Sequence, residues 1–407
     1  MIPEIRKVFN AKFSVTSYQN YINELNTALE YPVDFRVSET PVFLTDDLTN
    51  KLVEASNDIL SQLLTPEYKK HSLLAIPEGW NIPGEPEHPE FLQIDFGITK
   101  TDNGTFIPKL IELQAFPTIY GYQYFQNRII RKHFDINEGF TPYFSNFNED
   151  SYVFTLKEII LNNHSPENVI LLDIQPEKQK TRIDFSATKK LIGIQSVCIS
   201  KVFSRGNKLF YFRDNKETQI QRIYNRVIFD ELMKSDIKPG FNIHDEFDVE
   251  WTGHPNWFYR ISKFSLPFIK SKYAPKAFFL DEIYNTSTSE SSPHSPGIIN
   301  PDNYVLKPLF SFAGSGVDIN PSKEKLDSIH DKHNYILQEK IEYDPVILTP
   351  DGNSKFEIRM MYLWKDKPLL VNNLVRMSKG KMMGVDYNKN KTWVGSTLAL
   401  HYPEVLI

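Results

Sequence analysis

A lysine at the end of an apolar strand marks the first candidate site. Residues 303–316 read NYVLKPLFSFAGSG, where 304–306 suit a buried strand and Lys307 stands at its edge. A lysine in that place needs an anionic partner or a route to water. The small residues of the loop that follows include Ser311, Gly314, Ser315 and Gly316. Such a loop can turn its backbone N–H groups into one concavity, so the segment indicates a triphosphate site; the alternative is a plain strand and turn with an outward lysine.

Carboxylates come from a hairpin much earlier in the chain. Residues 91–96 read FLQIDF, an alternating strand with Asp95 near its end, and an Asp-Asn-Gly turn leads to the return strand 106–113. Glu112 and Gln114 are two residues apart and share one face of that strand. Two carboxylates and an amide oxygen on one face form the hard-oxygen set that holds Mg²⁺ against phosphates. The alternative is a surface hairpin with solvated acids, but the apolar neighbours make an unpaired carboxylate costly there.

Arginines occur in two further stretches. Arg222, Asn225 and Arg226 lie within five residues, and two arginines so placed can recognise a carboxylate or phosphate by forked hydrogen bonds. An exposed helix face explains them equally well. Farther along, the strand Lys355–Trp364 carries Arg359, and an arginine stays inside a protein only when it is paired or bound to an anion.

Composition restricts the classes of protein. The chain has 407 residues, which favours two or three domains, and its net charge of −5 argues against a general nucleic-acid or membrane-surface binder. Cys198 is the only cysteine, so an intramolecular disulfide and a CxxC metal site are excluded, and a reducing compartment is favoured. No apolar run has the length of a signal core or a membrane span, which predicts a soluble, cytoplasmic protein.

The periodicity predicts mixed α and β structure. Helices are expected at 15–28 and 46–64, the second capped by Thr45 or Asp46. An α/β unit follows, with helices at 154–161 and 185–193 and strands at 168–173, 196–202 and 208–212. This order indicates a Rossmann-like layer, although no GxGxxG is present.

Three later segments complete the pattern. The aromatic and basic stretch 251–276 is expected to be a packed helix rather than a nucleic-acid stacking platform. The Ser/Thr/Pro-rich stretch 284–300 is expected to be a mobile loop, in a place where a lid could lie. The strand 335–342 carries Gln338 and Glu339, whose polar edge suits an adenine rim.

The order of these motifs resembles a known family. A strand with Lys307 and a Gly-rich loop, then the Gln338 strand, then Glu357-x-Arg359, resembles the nucleotide-binding part of ATP-grasp ligases. Here the acidic cluster precedes these elements instead of following them. That inverted order is similar to glutathionylspermidine synthase-like, circularly permuted ATP-grasp proteins, in which an R-x-D-F strand and an E-x-N hairpin precede a K-P-x-x-x-x-x-G-x-x strand and loop. The resemblance runs from about Phe91 onward.

The resemblance implies a nucleotide site. Lys307 would contact the phosphates of ATP, with Lys263 as the second lysine, and the loop 311–316 would close over them. Gln338 and Glu339 would lie at the adenine.

The resemblance also implies the metal and catalytic positions. Asp95, Glu112 and Gln114 would be Mg²⁺ ligands, and Arg359 would hold the γ-phosphate or the acyl phosphate. The family's arginine two residues before the aspartate is Gln93 here, which supplies no positive charge to that catalytic position. Its asparagine is Gln114, which still offers an amide oxygen at the cost of one more rotatable bond.

We therefore predict an α/β (α+β) protein: a circularly permuted ATP-grasp fold with a Rossmann-like substrate domain. The domains are expected at 1–150, 151–250 and 251–407. The expected reaction is ATP- and Mg²⁺-dependent ligation of a small carboxylate to an amine through an acyl phosphate, with Arg222, Asn225 and Arg226 holding substrate. No nucleic-acid or membrane partner is expected. The alternatives are a nucleotide-binding homologue without ligase activity, a phosphotransferase on the same fold, and a structural protein that binds no nucleotide.

Overall fold

The structure, a computed structural model, describes residues 2–285, 300–311, 314–380, 383, 388 and 390–403. The α-helices are α1 (Pro3–Lys12), α2 (Val15–Ala28), α3 (Asp46–Leu63), α4 (Pro66–His71), α5 (Tyr120–His133), α6 (Glu149–Leu161), α7 (Arg182–Ile192), α8 (Phe229–Lys234), α9 (Pro255–Arg260), α10 (Leu280–Asn285) and α11 (Lys323–Ser328). The strands are β1 (Val42–Phe43), β2 (Phe91–Lys100), β3 (Phe106–Gln114), β4 (Val169–Asp173), β5 (Gln195–Cys198), β6 (Phe203–Arg205), β7 (Lys208–Arg213), β8 (Lys216–Ile220), β9 (Arg222–Asn225), β10 (Glu250–Thr252), β11 (Ala277–Phe279), β12 (Tyr304–Pro308), β13 (Asp318–Ile319), β14 (Tyr335–Glu339), β15 (Lys355–Trp364), β16 (Pro368–Ser378), β17 (Gly395–Thr397) and β18 (Ala399–Leu400).

Local sequence accounts for several helix ends. α2 has the predicted bounds, and the Ser14 hydroxyl caps it by accepting the N–H of Ser17. The predicted cap of α3 is confirmed, since the Thr45 hydroxyl accepts the N–H of Leu48. α7 ends at Ile192 and is capped by Gly193, whose φ of 90° suits glycine just after a helix.

A five-stranded antiparallel sheet, the core sheet, has the order β17–β16–β15–β2–β3. It joins strands from an early segment of the chain to strands near its end. The predicted hairpin β2–β3 is present and pairs Asp95 with Glu112 and Gln93 with Gln114. β15 forms the centre and places Arg359 opposite Asp95.

The two faces of the core sheet differ because side chains alternate along each strand. Leu92, Ile94 and Phe96 of β2 share a hydrophobic core with the buried stripe of α3. Gln93 and Asp95 point to the opposite face, which carries the candidate site.

Among the described residues, four other sheets accompany the core sheet. The parallel sheet has the order β10–β9–β4–β5, as expected for an α/β unit. The small sheet, β11–β14–β12–β13, is antiparallel and contains Lys307 and Gln338. A third sheet pairs β6, β7 and β8, and β1 pairs with β18.

Some sequence expectations were wrong. The strand expected at 196–202 ends at Cys198 and gives way to a 3₁₀ turn, Ile199–Lys201. Arg222 and Asn225 lie on the buried strand β9 and Arg226 directly follows it, so the alternative of an exposed helix face is excluded.

The stretch 251–276 also differs from its prediction. It is the end of β10, the short helix α9 and a 3₁₀ helix, Lys263–Phe268, instead of one helix. Of the expected loop 284–300, residues 286–299 lie outside the described part of the chain, and residues 284 and 285 end α10. Within the described residues, no helix is long and apolar enough to cross a bilayer.

Candidate functional site

Charged side chains meet on one face of the core sheet. We call them the charge network: Asp95, Glu112, Lys263, Lys307, Glu357, Arg359 and Arg376. They comprise three carboxylates and four cations, which leaves one positive charge in excess when all are ionised. They come from β2, β3, β12, β15, β16 and the 3₁₀ helix Lys263–Phe268. An excess of buried positive charge suits an anionic ligand.

Asp95 is the centre of the arginine side of the network. The Arg359 guanidinium donates two hydrogen bonds to its carboxylate, from Nε to Oδ1 at 2.6 Å and from Nη2 to Oδ2 at 2.7 Å. Arg376 donates to the same Oδ2 at 2.7 Å and lies 3.1 Å from a Glu357 oxygen. Burial alone would lower the pKa of Arg376, but Glu357 and Asp95 outweigh it and raise the pKa. Arg376 is therefore charged, and Asp95 holds both guanidinium groups in place.

Glu112 forms the lysine side. Its carboxylate lies 2.7 Å from the Lys263 ammonium, which also donates to the carbonyl of Ser311 at 2.7 Å. Burial would raise the pKa of Glu112, yet the charge of Lys263 and its hydrogen bond lower it to about 2. Lys263 thus ties the hairpin to the start of the Gly-rich loop.

Lys307 connects the small sheet to the core sheet. Its ammonium donates to Gln338 Oε1 at 2.6 Å and to the carbonyl of Ile111, 196 residues away, at 3.0 Å. Gln338 in turn donates to the carbonyl of Leu110 at 3.1 Å. Burial lowers the pKa of Lys307 to about 8, against the opposing charge of Glu112. A buried lysine without a full counter-charge is ready to receive an anion.

Tyr343 covers the end of the network. Its hydroxyl donates to Glu357 Oε1 at 2.5 Å, and its ring lies on Gly97. A Cβ at Gly97 would come 2.5 Å from the ring, so only glycine permits this contact. Burial and Glu357 raise the pKa of Tyr343 well above its ordinary value, which keeps it a hydrogen-bond donor.

One cavity is lined in part by residues of the network, and a second by Tyr343, which hydrogen-bonds to the network. A cavity of about 500 Å³ is lined by residues that include Lys100, Lys109, Glu339, Lys340 and Tyr343. Its volume lies within the range of ligand sites in proteins. A much smaller one, about 20 Å³, lies between Glu112, Gln114, Lys263 and Ser311 and is large enough for roughly one water-sized group.

The oxygen atoms around the small cavity fit a hard cation in part. Gln114 Oε1 and Ser311 Oγ are both buried, and neither has a hydrogen-bond partner within the described residues. Mg²⁺ commonly takes one or two protein carboxylates together with substrate phosphates and water. Glu112 and Gln114 could supply the protein oxygen ligands of such an ion. Asp95 does not in this arrangement, because both its oxygens already accept from arginines.

The comparisons with known proteins bear on the fold. No family model matches the sequence, and a search of curated proteins finds no match. Among solved structures, a glutathione synthetase-like effector from Globodera pallida, in its apo form, superposes with a TM-score of 0.57 at 12% identity, over 99% of this chain and 98% of that one. The chain has a glutathione synthetase-like fold. At this identity the likeness shows the fold alone.

Within this glutathione synthetase-like fold, three of the predicted nucleotide residues come together with one predicted Mg²⁺ ligand, Glu112. Lys307, Lys263, Gln338 and Glu112 contact one another or a shared segment. Glu339 lines the large cavity and accepts the N–H of Lys276. Their roles as ligands of ATP or Mg²⁺ stay predictions.

The loop after Lys307 is described only in part. Ser311 meets Lys263, whereas Gly314, Ser315 and Gly316 are exposed. Gly316 has a φ of 72°, and a Cβ there would come 2.8 Å from Pro308. The loop conformation therefore depends on glycine at this position.

The predicted substrate residues have internal partners. Arg226 forms a buried ion pair with Asp184 at 2.8 Å, and Arg222 binds Glu250 at 2.6 Å and two backbone carbonyls. Asn225 donates to the carbonyl of Gly253 at 3.0 Å. These contacts link the parallel sheet to its helices and loops, and a substrate role for them stays a prediction.

Sequence reasoning left Glu357, Arg376 and Tyr343 out of the site. Glu357 shares a face of β15 with Arg359, and Arg376 is its register partner on β16, so strand spacing was a usable signal for both. Tyr343 comes from a segment without regular structure, and no pattern in its sequence indicated it. Gln93 is buried and donates to the carbonyl of Thr118 at 3.4 Å.

Proposed function

We propose that the protein is an ATP-dependent ligase that joins a carboxylate to an amine through an acyl phosphate. The observation that carries this proposal is the contact of Lys307 with the β2–β3 hairpin, which brings the phosphate-type strand against the acidic strand. The large cavity beside it provides room for a nucleotide base. The glutathione synthetase-like fold adds support, since that name denotes a ligase.

The binding arrangement follows from the charges. The base of ATP would occupy the large cavity against Glu339 and Lys340, and the phosphates would extend towards Lys307 and Lys263. Glu112 and Gln114 would hold Mg²⁺, which supplies charge neutralisation between the phosphates when it is bound. Gly314 and Gly316 would bring loop N–H groups to the same phosphates.

In this reaction the protein would contribute the positioning of the substrates and the electrostatic stabilisation of the transferring group. The substrate carboxylate oxygen attacks the γ-phosphorus, the bond to the β-phosphate oxygen breaks, and ADP leaves. The amine nitrogen then attacks the acyl carbon, phosphate leaves, and the amine loses a proton. Arg359 and Arg376 are fixed cations that would stabilise the negative charge of the transferring phosphoryl group, a contribution that does not require the chain to form a bond.

The topology supports a circularly permuted ATP-grasp arrangement as part of this proposal. The core sheet takes β2 and β3 from the segment 1–150 and β15–β17 from the segment 251–407, with the parallel sheet contributed mainly by 151–250. In this proposal the nucleotide lies between the small sheet and the core sheet.

A second candidate function is nucleotide binding without ligation. It is supported by Gln93, a neutral residue where the family that the sequence resembles has an arginine, and by Asp95, whose oxygens are both held by arginines. With less positive charge and one metal ligand fewer, the nucleotide would bind but react slowly.

Product analysis tests the proposal. The protein is incubated with Mg²⁺-ATP and pools of small carboxylates and amines, and ADP, phosphate and amide are measured. We expect ADP release that needs both pools, loss of it in Lys307→Met, and unchanged release in Lys325→Met, a matched lysine exposed on α11. Calorimetric ATP binding without turnover favours the second candidate, and a phosphorylated product without amide indicates a phosphotransferase.

A further inference from the structure

A tyrosine joins the large cavity to the charge network. Tyr343 lines that cavity together with Lys100 and Lys340, and its hydroxyl donates to Glu357 Oε1 at 2.5 Å. A hydrogen bond to a charged acceptor is about twice as strong as one between neutral groups, and an O–H···O⁻ contact of this length is typical of that class. Whatever occupies the cavity therefore lies beside a side chain that also holds a carboxylate of the network.

The Tyr343 side chain is held in place although its segment has no regular structure. Its ring lies on Gly97 of β2, where a Cβ would come 2.5 Å from it. The next residue is bound to the same strand at two points: Asp344 donates its N–H to the carbonyl of Ile98 at 3.3 Å, and its carboxylate accepts the N–H of Lys100 at 2.6 Å. These contacts keep the ring against β2 and determine where its hydroxyl lies.

The hydroxyl acts on a row of register partners across the core sheet. Gly97 pairs with Glu357, and Glu357 pairs with Arg376. Tyr343 holds one oxygen of Glu357, and the other oxygen lies 3.1 Å from Nη2 of Arg376. The same Nη2 donates to Asp95 at 2.7 Å. Arg376 thus stands between two carboxylates, one of which is itself held by Tyr343.

Arg376 is the more accessible of the two arginines. Its side chain is 27% exposed, against 6% for Arg359, whose Nε and Nη2 both bind Asp95. An anion can therefore approach the guanidinium of Arg376 from the exposed side. A partly exposed arginine ordinarily keeps much of its rotamer freedom, and the loss of that freedom on binding weakens affinity. Holding Arg376 in place before the ligand arrives avoids this loss.

We propose that Tyr343 is a positioning residue: through Glu357 it holds Arg376 where the guanidinium meets the terminal phosphate of a nucleotide whose base lies in the large cavity. This inference rests on the proposed ligase function. The tyrosine would serve both ends of one ligand, with its ring as part of the cavity wall and its hydroxyl as a support of the cation. Without the hydroxyl, the Glu357 carboxylate and the Arg376 guanidinium bound to it are freer to turn, so a preorganised contact to phosphate is lost.

The test compares the affinities of Mg²⁺-ADP and Mg²⁺-AMP-PNP, a non-hydrolysable analogue of ATP, by calorimetry. In the wild type the analogue should bind more tightly than ADP, because its third phosphate meets the arginines. Tyr343→Phe keeps the ring and removes the hydroxyl. We expect this variant to bind the analogue about 10- to 100-fold more weakly, the effect of one hydrogen bond to a charged group, and to bind ADP with unchanged affinity. A general loss of structure would weaken the binding of both nucleotides.

Two further variants separate positioning from structure. Tyr211→Phe is the matched control, because it also removes the hydroxyl of a buried tyrosine, one that belongs to β7 and donates to the carbonyl of Glu167 at 2.8 Å. It should leave both affinities unchanged. If Tyr343 acts through Arg376, adding Tyr343→Phe to Arg376→Met should cause no further loss of affinity for the analogue. Additive losses overturn the inference, as does an equal loss for ADP and the analogue in Tyr343→Phe.

A measurement without nucleotide distinguishes failure of this inference from failure of the ligase proposal. Nitrogen NMR follows the rotation of the Arg376 guanidinium, whose signal is assigned by its loss in Arg376→Lys. The rotation should be restricted in the wild type and in Tyr211→Phe, and faster in Tyr343→Phe. Unchanged rotation in Tyr343→Phe, or equal wild-type affinity for ADP and the analogue, refutes the inference while nucleotide binding still supports the ligase proposal. If the wild type binds no nucleotide, the ligase proposal is refuted, and the NMR comparison alone decides whether Tyr343 positions Arg376.

Discussion

Arginines of two regions of this molecule, the parallel sheet and the core sheet, differ in their surroundings. Directly after β9 of the parallel sheet, Arg226 pairs with the carboxylate of Asp184 and packs against the rings of Phe116 and Phe185. In the core sheet, Arg359 and Arg376 share Asp95, and two lysines and two more carboxylates stand nearby.

The difference separates an ion pair whose two charges satisfy each other from a group of charges that could receive a ligand. A single buried pair is self-sufficient: it joins α7 to β9, and Asp184 also accepts the N–H of Tyr122. The charge network has an excess of cations, adjoins two cavities and lies next to unpartnered oxygen atoms. Arginine in a buried strand is therefore weak support for a function unless such features accompany it.

The largest expected effect is the loss of stability when the ion pair of Arg226 and Asp184 is broken. Asp184→Ala leaves the Arg226 guanidinium buried without its counter-ion, which should lower the free energy of unfolding by about 3–5 kcal/mol. Urea unfolding measures it, and calorimetry on the remaining folded protein should show unchanged ATP affinity.

The double variant Asp184→Ala/Arg226→Met provides the control. It removes both charges, and it should recover much of the lost stability. A double variant as unstable as Asp184→Ala alone would mean that the ion pair is not what makes Asp184 important.

In the charge network we expect a large effect on ATP binding and a small effect on stability. Lys307→Met removes a charge-assisted contact to phosphate and should weaken ATP binding by about 10- to 100-fold. Because burial already disfavours the ammonium, the free energy of unfolding should fall little or rise. Calorimetry and urea unfolding of the same samples measure both, and a large loss of stability with normal ATP binding would make Lys307 a structural residue.

The contrast between the two regions was only partly readable in the sequence. Capping and apolar spacing predicted α2 and α3, and the Asp-Asn-Gly turn predicted the hairpin that pairs Asp95 with Glu112. These signals are local. Which arginines reach Asp95 depends on the pairing of β15 with β2, strands more than 250 residues apart, and no local pattern specifies it.

A smaller effect is expected where Tyr343 covers the network. In Gly97→Ala the new methyl group would overlap the Tyr343 ring, so the ring must move and its hydrogen bond to Glu357 is lost. Overpacking of this kind should cost about 1–3 kcal/mol of unfolding free energy. Tyr343→Phe removes the hydrogen bond alone. The double variant Gly97→Ala/Tyr343→Ala should lose less unfolding free energy than the sum of the losses in its two single variants. Strictly additive losses would show that the two residues are not in contact.

The smallest effect is the pH dependence of ATP binding. The pKa of Lys307 is lowered to about 8 in the free protein, and a bound phosphate would favour its charged form and raise that pKa. Below pH 8 the ammonium is already protonated, so the affinity should be nearly constant. Above pH 8 the free protein must take up a proton on binding, and the affinity should fall by up to about tenfold per pH unit. Calorimetry from pH 7 to pH 9.5 measures this dependence. The change of slope near pH 8 should vanish in Lys307→Met, because methionine has no proton to bind. A change of slope that persists in this variant would assign the titration to another group and remove Lys307 from the phosphate site.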